Sequence, residues 1–417
     1  MPSEVVELSG HIIDSLVLAR VLDAILARGA EFEIEEIRIG KTQDDPSFAR
    51  IRVAARSAQT LESVIACIEK AGACPLHESD VELAPAPKDG VFPESFYCTT
   101  NLRTSVRISG SWVQVEPIEM DCGIVVEEGH ARSVPMNHVK AGDQIVVGHL
   151  GVRVEPLGRR ETRGAFEFMS STVSSEKPKA LMVSEAARRI VETKNRGQKV
   201  LLVGGPAIVH AGAGEAVAGM VRQGWIDVLF AGNALALHDI EIALYGTALG
   251  VSIQEGKPAP HGHEHHLRAV NEIRRIGSIA EAVRQNVLTS GIMRECVLAD
   301  VPFVLAGSIR DDGPLPEVIT DVLEAQDAMR AQLPGVGLAL MIATTLHSVA
   351  AGNLLPASVD VICVDINPAV VTKLADRGTQ QVQGLVTDAA LFVRELAEEL
   401  AKRQSPVSRG ADERKQE

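Results

Sequence analysis

The sequence predicts an α/β chain with three regions: an N-terminal split-βαβ (ferredoxin-like) domain, a small β-domain, and a C-terminal doubly wound, mainly parallel sheet. Three observations carry that reading. Residues 4–86 alternate in the order βαββαβ, the pattern of one sheet with both helices on one face. Between residues 96 and 156, short β-like runs succeed one another without helix-length apolar periodicity. From Lys179 onward the period changes, and apolar strands alternate with helices as a parallel three-layer sheet requires.

In the first region, residues 5–8 read as a strand and 14–28 as an amphipathic helix. Residues 31–39 and 49–55 alternate apolar and polar side chains with period two. A helix at 58–71 and a closing strand at 81–84 complete the order. Pro85-Ala-Pro87-Lys-Asp-Gly90 has the turn chemistry of a linker, which divides the chain into 1–88 and 89–175. The β-domain's strands fall at 104–108, 112–115, 123–126 and 144–150, with an irregular crossover at 166–175. The C-terminal region, 176–404, opens with a helix at 184–195 and a strand at 199–203. Further strands follow at 225–230, 302–306, 337–343 and 359–364. A last helix at 388–404 gives way to a polar tail, 405–417, expected to be disordered.

Bulk properties narrow the function. A 417-residue chain that is 46% hydrophobic can bury more than one core. An aromatic content of 3% argues against stacking platforms for single-stranded nucleic acid. A formal charge of −14 argues against nucleic acid and against an anionic membrane as partners. The most apolar window, 336–351, contains Thr344, Thr345, His347 and Ser348, and fits strand, turn and helix better than a membrane span. Met1-Pro2-Ser3-Glu4 shows no signal pattern, and six cysteines without a CxxC pair fit reduced thiols. The expectation is a cytoplasmic, homo-oligomeric enzyme with a small-molecule substrate.

Two strands locate the candidate site. The run at 337–343 stops at Thr344-Thr345-Leu346-His347, and the run at 359–364 stops at Asp365-Ile366-Asn367-Pro368. Buried parallel strands that end in hydroxyl, amide and carboxylate groups deliver side chains to a ligand crevice, here a nucleotide site. Helix capping by Thr344, Thr345 or Asn367 explains either cluster alone, and both together less easily. Gly204-Gly205-Pro206, continuing through His210 to Gly214, would let backbone N–H groups approach a pyrophosphate, although a tight turn explains it almost as well. Gly232, Asn233 and Asp239 would meet the nicotinamide side of a dinucleotide or else cap helices. Ser308 and Arg310 follow another strand, where Arg310 would bind phosphate or carboxylate or form an internal ion pair. Asp365, if it meets ribose hydroxyls, would favour NAD over NADP.

Two resemblances follow from these motifs. Gly204 to Gly214, Thr344-Thr345-Leu346 with Ala351-Gly352-Asn353-Leu354-Leu-Pro356, and Ile366-Asn367-Pro368 are similar in order to the NAD-contacting loops of the deoxyhypusine synthase and sirtuin-like fold. The resemblance implies pyrophosphate, ribose and adenosine contacts in that order. The chain lacks the four-cysteine zinc module of sirtuins, so protein deacylation is not expected. The second covers nearly the whole chain. Leu8-Ser-Gly-His11-Ile-Ile-Asp14-Ser, Thr99-Thr100-Asn101-Leu-Arg103-Thr104, Glu119-Met120-Asp121-Cys122 and Gly307-Ser-Ile-Arg310-Asp311-Asp312-Gly313-Pro314 look like the LOR/SDH-domain family. That family takes its name from plant lysine-ketoglutarate reductase/saccharopine dehydrogenase. It includes archaeal ornithine cyclodeaminases and the C-terminal half of a cyanobacterial arginine dihydrolase/ornithine cyclodeaminase fusion.

The resemblance implies that NAD⁺ takes a hydride from ornithine Cα, the δ-amine closes on that carbon, ammonia leaves, and the hydride returns to give proline. Arg103 then suits the α-carboxylate because its guanidinium forks, with Asn101 and Thr104 beside it. Glu119 and Asp121 suit the amines as base and anchor, and Cys122 would line the pocket or transfer protons. As bare residues, Arg103 is equally a solvated strand residue, Glu119 and Asp121 paired surface acids, and Cys122 a small buried side chain. His261, His263, His265 and His266 invite a metal reading, but neighbouring Cys and Asp ligands are missing, and no metal is expected. The active site is expected between the β-domain and the sheet's carboxyl edge. A saccharopine-type dehydrogenase and a non-catalytic NAD-responsive regulator remain the alternatives.

Overall fold

Val6 and Leu8, two residues apart, face the same side of a strand and are both fully buried, as are Ile51 and Val53. These pairs seed the first core in the structure, a computed structural model. It describes residues 1–10, 12–13, 16–41, 45–69, 72–75, 79–155, 173–174, 179–253, 256–311, 313–376 and 382–403. His11, Asp14, Asp312, the crossover at 166–172 and the tail from 405 lie outside the described residues.

The first sheet uses β1 (Ser3–Gly10), β2 (Glu31–Arg38), β3 (Ser47–Ala54) and β4 (Cys74–Pro75), in the order β2-β3-β1-β4. That is the split-βαβ order the sequence predicts, with all three pairings antiparallel. Helices α1 (Val17–Ala27) and α2 (Ala58–Glu69) join the same core through Val17, Val21, Ile25, Val64 and Ile68. The stripe at 17, 21 and 25 has helical spacing.

One strand changes partner. The run at 81–84 forms β5 (Glu82–Pro85), but it pairs antiparallel with β10 (Gln144–Val147) and not with the first sheet. Alternation identifies a half-buried strand without naming its neighbour, and the two-residue β4 takes the fourth place instead. Between them lie β6 (Thr104–Ile108), β7 (Ser111–Gln114), β8 (Gly123–Glu127) and β9 (His130–Val134), followed by β11 (Val152–Val154). They make two small sheets, β5-β10-β8-β9 and β11-β6-β7. Strands β9 and β11 are additions to the sequence reading. Tyr97, Val106, Ile124, Val146 and Val152 form the core here. Residues 353–357 belong to this same unit. Ala357 packs in that core, and its N–H donates to Asn101 O at 2.8 Å.

The second unit is built on one sheet of eight strands, all paired in parallel. In chain order they begin with β12 (Val173–Ser174), β13 (Lys199–Gly204) and β14 (Val228–Gly232), with a separate two-stranded hairpin of β15 (Thr247–Ala248) and β16 (Val251–Ser252). Then come β17 (Phe303–Ala306), β18 (Val318–Ile319), β19 (Val336–Ile342), β20 (Asp360–Asp365) and β21 (Val382–Val386). Helices alternate with them: α3 (Lys179–Asn195), α4 (Ala207–His210), α5 (Gly214–Arg222), α6 (Asn233–Tyr245), α7 (His265–Ile276), α8 (Ile279–Arg284) and α9 (Ile292–Leu298). The series ends with α10 (Val322–Gln332), α11 (Thr345–Leu354), α12 (Pro368–Asp376) and α13 (Ala389–Ala401).

The order β12-β21-β20-β19-β13-β14-β17-β18 has a direct consequence. From β13 the chain winds outward one way through β14, β17 and β18, then returns to β19 and winds the other way. The switch point therefore lies between β13 and β19, where crevices open at the carboxyl ends of such sheets. All seven residues of β19 are buried, as a strand covered on both faces should be. The run at 225–230 begins later than the sequence predicts: Trp225 is buried but precedes β14. Its size suits the core, and an apolar run cannot separate strand from approach loop.

Candidate functional site

The glycine turn after β13 meets the end of β19. A Cβ built at Gly205 would collide with the Ala343 carbonyl oxygen and stand 3.0 Å from Thr344 Cβ. Ala343 has φ 54°, a left-handed backbone that turns the chain sharply out of the strand. Gly205 N–H donates to Ile342 O at 2.9 Å, and Pro206 opens α4. Gly204 ends β13 itself. So Gly205 is required by contact between two backbones at the switch point, whereas a Cβ at Gly204 would meet the Leu235 side chain at 2.9 Å.

His347 extends this edge. A Cβ built at Gly232 would stand 2.9 Å from His347 Cε1, so the imidazole lies against the end of β14. Thr344 Oγ1 is 3.2 Å from His347 Nδ1. Burial holds the His347 imidazole below its ordinary range, while the Asp311 carboxylate acts the other way. Asp311 in turn accepts from Ser308 N–H at 2.8 Å, and Ser308 Oγ accepts from Arg310 N–H at 3.2 Å. The edge thus brings together Gly205, Gly232, Thr344, His347 and the 308–311 turn.

Farther along, Asp365 Oδ1 accepts from Asn367 N–H at 2.8 Å, and Asn367 Oδ1 accepts from Ala369 N–H at 3.0 Å. Asn367 does cap α12, as the alternative held. Thr345 and Asn367 are nonetheless exposed, as are Leu346 and Ile366 beside them. Two other candidates turn inward. Asn233 is buried, and its Oδ1 accepts from Leu315 N–H at 3.1 Å. Asp239 is buried and takes the Ile292 and Met293 N–H groups, each at 2.9 Å, at the start of α9. Capping therefore describes Asp239: both carboxylate oxygens are engaged inside the protein. A dinucleotide fits the rest of the edge, because the glycine cradle admits close backbone approach and the exposed Thr345 and Asn367, with the half-buried Asp365, flank it.

In the middle domain, Thr99 ties two candidate segments together. Its Oγ1 donates to Glu119 O at 2.6 Å and accepts from Cys122 N–H at 3.0 Å. The two backbones also exchange bonds, Thr99 N–H to Cys122 O at 2.9 Å and Asp121 N–H to Thr99 O at 3.1 Å. Asp121 sits at φ 61° and is exposed. Glu119 is half-buried, with its N–H held by Ser133 Oγ at 3.1 Å. Cys122 is fully buried, its Sγ 3.6 Å from Met120 O. Arg103 is exposed, with a loose contact of 3.7 Å to Glu155. Asn101 is buried at 2% exposure, and its Nδ2 has no hydrogen-bond partner among the described residues. Thr104 is fully buried and donates to Leu102 O at 2.9 Å, so it braces the 101–103 turn and does not face outward.

Sequence reasoning missed a buried cluster behind the glycine turn. Glu241, with no exposed surface, accepts from His238 Nδ1 at 2.9 Å and from Thr247 Oγ1 at 2.9 Å. It also accepts from Leu249 N–H at 3.1 Å and Gly250 N–H at 2.9 Å. The available signal was a His and a Glu three apart on a helix whose only other charged residue is Asp239 and which is largely buried. His265 continues the chain through Thr247 Oγ1 at 2.9 Å, while His261 and His263 are exposed. Among the described residues, no group of three His, Cys, Asp or Glu is arranged to hold a metal ion, and no helix is long and apolar enough to cross a membrane. A hollow of about 810 Å³, lined by Arg222, Ser290, Arg294 and Glu295 among others, includes none of the candidate residues.

Comparison with known proteins places these features in context. Residues 3–102 match the model of the LOR/SDH bifunctional enzyme conserved region. Residues 103–183 match the first C-terminal region of arginine dihydrolase ArgZ-like proteins, and 184–396 match their C-terminal Rossmann fold. The chain is 54% identical over 402 residues to an ornithine cyclodeaminase of Methanopyrus kandleri, covering 96% of this chain and 97% of that one. A crystal structure of a conserved putative LOR/SDH protein from Methanococcus maripaludis matches with TM-score 0.74 and 48% identity, over 78% of this chain and 99% of that chain. The ternary complex of AgrE with ornithine and NAD⁺ matches with TM-score 0.53 and 40% identity, over 97% of this chain and 58% of that chain.

Proposed function

Because the chain belongs to the LOR/SDH-domain family of ornithine cyclodeaminases, we propose that it converts ornithine to proline and ammonia with NAD as cofactor. The observation that carries this reading is identity at 54% of positions across nearly the whole length of both chains. The AgrE complex with ornithine and NAD⁺ supports the same pair of ligands here. Bound NAD would supply the redox chemistry, taking a hydride from the substrate and returning it within one turnover.

The chain's own residues bind and orient. Gly204, Gly205 and Pro206 approach the pyrophosphate, Thr344 and Thr345 the phosphate or ribose, and Asp365 and Asn367 the adenosine. Gly232, Ser308 and Arg310 border the same edge. In the 89–175 domain, Arg103 holds the α-carboxylate bidentately, and the inward Asn101 amide adds a second donor. Glu119 and Asp121 hold the two amines, and Cys122 backs the turn that carries them. The rigid Thr99 clamp supports this assignment, because orientation is worth most when the groups are held before substrate arrives. The enzyme is cytoplasmic and homo-oligomeric in this reading. Exposed Leu249, Val251 and Ile253 offer apolar surface that an oligomer would cover.

One assay tests the proposal. Purified protein receives ornithine and NAD⁺ while proline, ammonia and reduced nicotinamide are followed. Proline and ammonia in equal amounts, without net NADH, is the expected result. Stoichiometric NADH would mean a dehydrogenase, and NAD binding without turnover a regulator; either outcome overturns the cyclodeaminase.

A further inference from the structure

Protons, as well as a hydride, have to move in the proposed reaction. Ornithine enters with both amines protonated. The α-amine must lose its proton before the Cα–H bond breaks, and the δ-amine must lose one before it attacks. Both protons are returned, one to ammonia and one to the proline nitrogen, so the balance is zero and the enzyme only lends a base.

The buried cluster behind the glycine turn has the form of such a base. A carboxylate can only accept, so the donor directions around Glu241 are fixed. Burial alone would raise the Glu241 carboxyl, but the bonds from His238, Gly250 and Thr247 outweigh it and hold it below its usual value. Glu241 is therefore ionised at neutral pH. His238 must carry a proton on Nδ1 to donate to it. Thr247 donates to Glu241, so its oxygen accepts from His265 Nδ1–H. His238 packs edge-on to His210, with ring centroids 4.7 Å apart. His210 lies on α4, directly after the glycine turn, and its buried Nε2 has no hydrogen-bond partner among the described residues.

We propose that His210 and His238 form the proton-transfer station of the reaction, with Glu241 as the residue that positions His238. The proposal rests on the cyclodeaminase reading above. His210 exchanges protons with the amines. His238 is nearly inaccessible and acts through His210. His265, at the head of α7, links the station through Thr247 to a half-buried position. Burial and the neighbouring His238 hold His210 below its ordinary range, with Glu241 acting the other way, so it is neutral and ready to accept at pH 7.

The test uses the full chain with NAD⁺ and ornithine. His210→Gln should lower kcat about 100-fold, a usual share for general acid–base catalysis, with ornithine KM and NAD affinity within about twofold. Glu241→Gln removes the charge that favours imidazolium, so the acidic limb of the kcat profile should move to lower pH. A packing role alone would lower the melting temperature without moving that limb. If the unaltered enzyme makes proline but His210→Gln keeps kcat within about twofold from pH 6 to 9, the station is rejected and the cyclodeaminase stands. If the unaltered enzyme makes no proline, both readings fall.

Discussion

Gly205 and Ala343 touch backbone to backbone: no Cβ fits at position 205 without striking the Ala343 carbonyl oxygen. The two residues follow β13 and β19, the strands on either side of the switch point. Gly205→Ala must therefore push apart a pair of loops that the parallel sheet fixes. Overpacking of this kind costs on the order of 3 kcal/mol. NAD affinity should fall at least about tenfold, measured by fluorescence titration, with a lower melting temperature. Unchanged affinity would separate the cradle from the cofactor.

Thr99 makes a different kind of support. Its hydroxyl serves Glu119 O and Cys122 N–H from a buried position, at 2% exposure. Thr99→Val removes the hydroxyl's bonds to those backbone groups, at a cost of about 2 kcal/mol, and frees the turn that carries Glu119 and Asp121. Turnover should drop more than tenfold, while Thr99→Ser restores most of it. Equal kcat in the Val and Ser variants would show that the clamp does not position the acids.

Arg103 is exposed, and among the described residues its guanidinium has only a loose contact of 3.7 Å with Glu155. Replacement by Ala should abolish detectable turnover, and Lys should recover little because it lacks the planar fork. NAD binding should be unaffected in both. A variant that keeps its kcat/KM for ornithine would remove Arg103 from the substrate site.

How much of this was legible follows from which forces are local. The all-buried run of β19 and its polar stop at Thr344 are written in consecutive residues, so the sheet edge was foreseen. The partner of residues 82–85 was not, because pairing with Gln144–Val147 is set by tertiary contacts far along the chain. Asp239 and Asn367 stayed ambiguous for a chemical reason: the same oxygen that binds a ligand also caps a helix, and only geometry separates the two. The His238–Glu241 pair was legible as helical spacing, but the cluster was not, because its third member, Thr247, arrives on a hairpin and its fourth, His265, from another helix.

Asp239 gives a prediction in pH. Burial raises its carboxyl to about 6, although the Met293 and Ile292 N–H groups pull it down. The unfolded value is near 3.9, so the folded chain holds this proton more tightly than the unfolded one. The stabilisation is then complete below the unfolded value and is lost as pH rises through about 6. Asp239→Asn cannot titrate. The stability of the unaltered protein relative to this variant should fall by about 2 kcal/mol between pH 4 and pH 7, read from urea unfolding of both at each pH. A difference that stays flat with pH would mean that the carboxylate is ionised throughout, held by the two α9 amides strongly enough to cancel its burial.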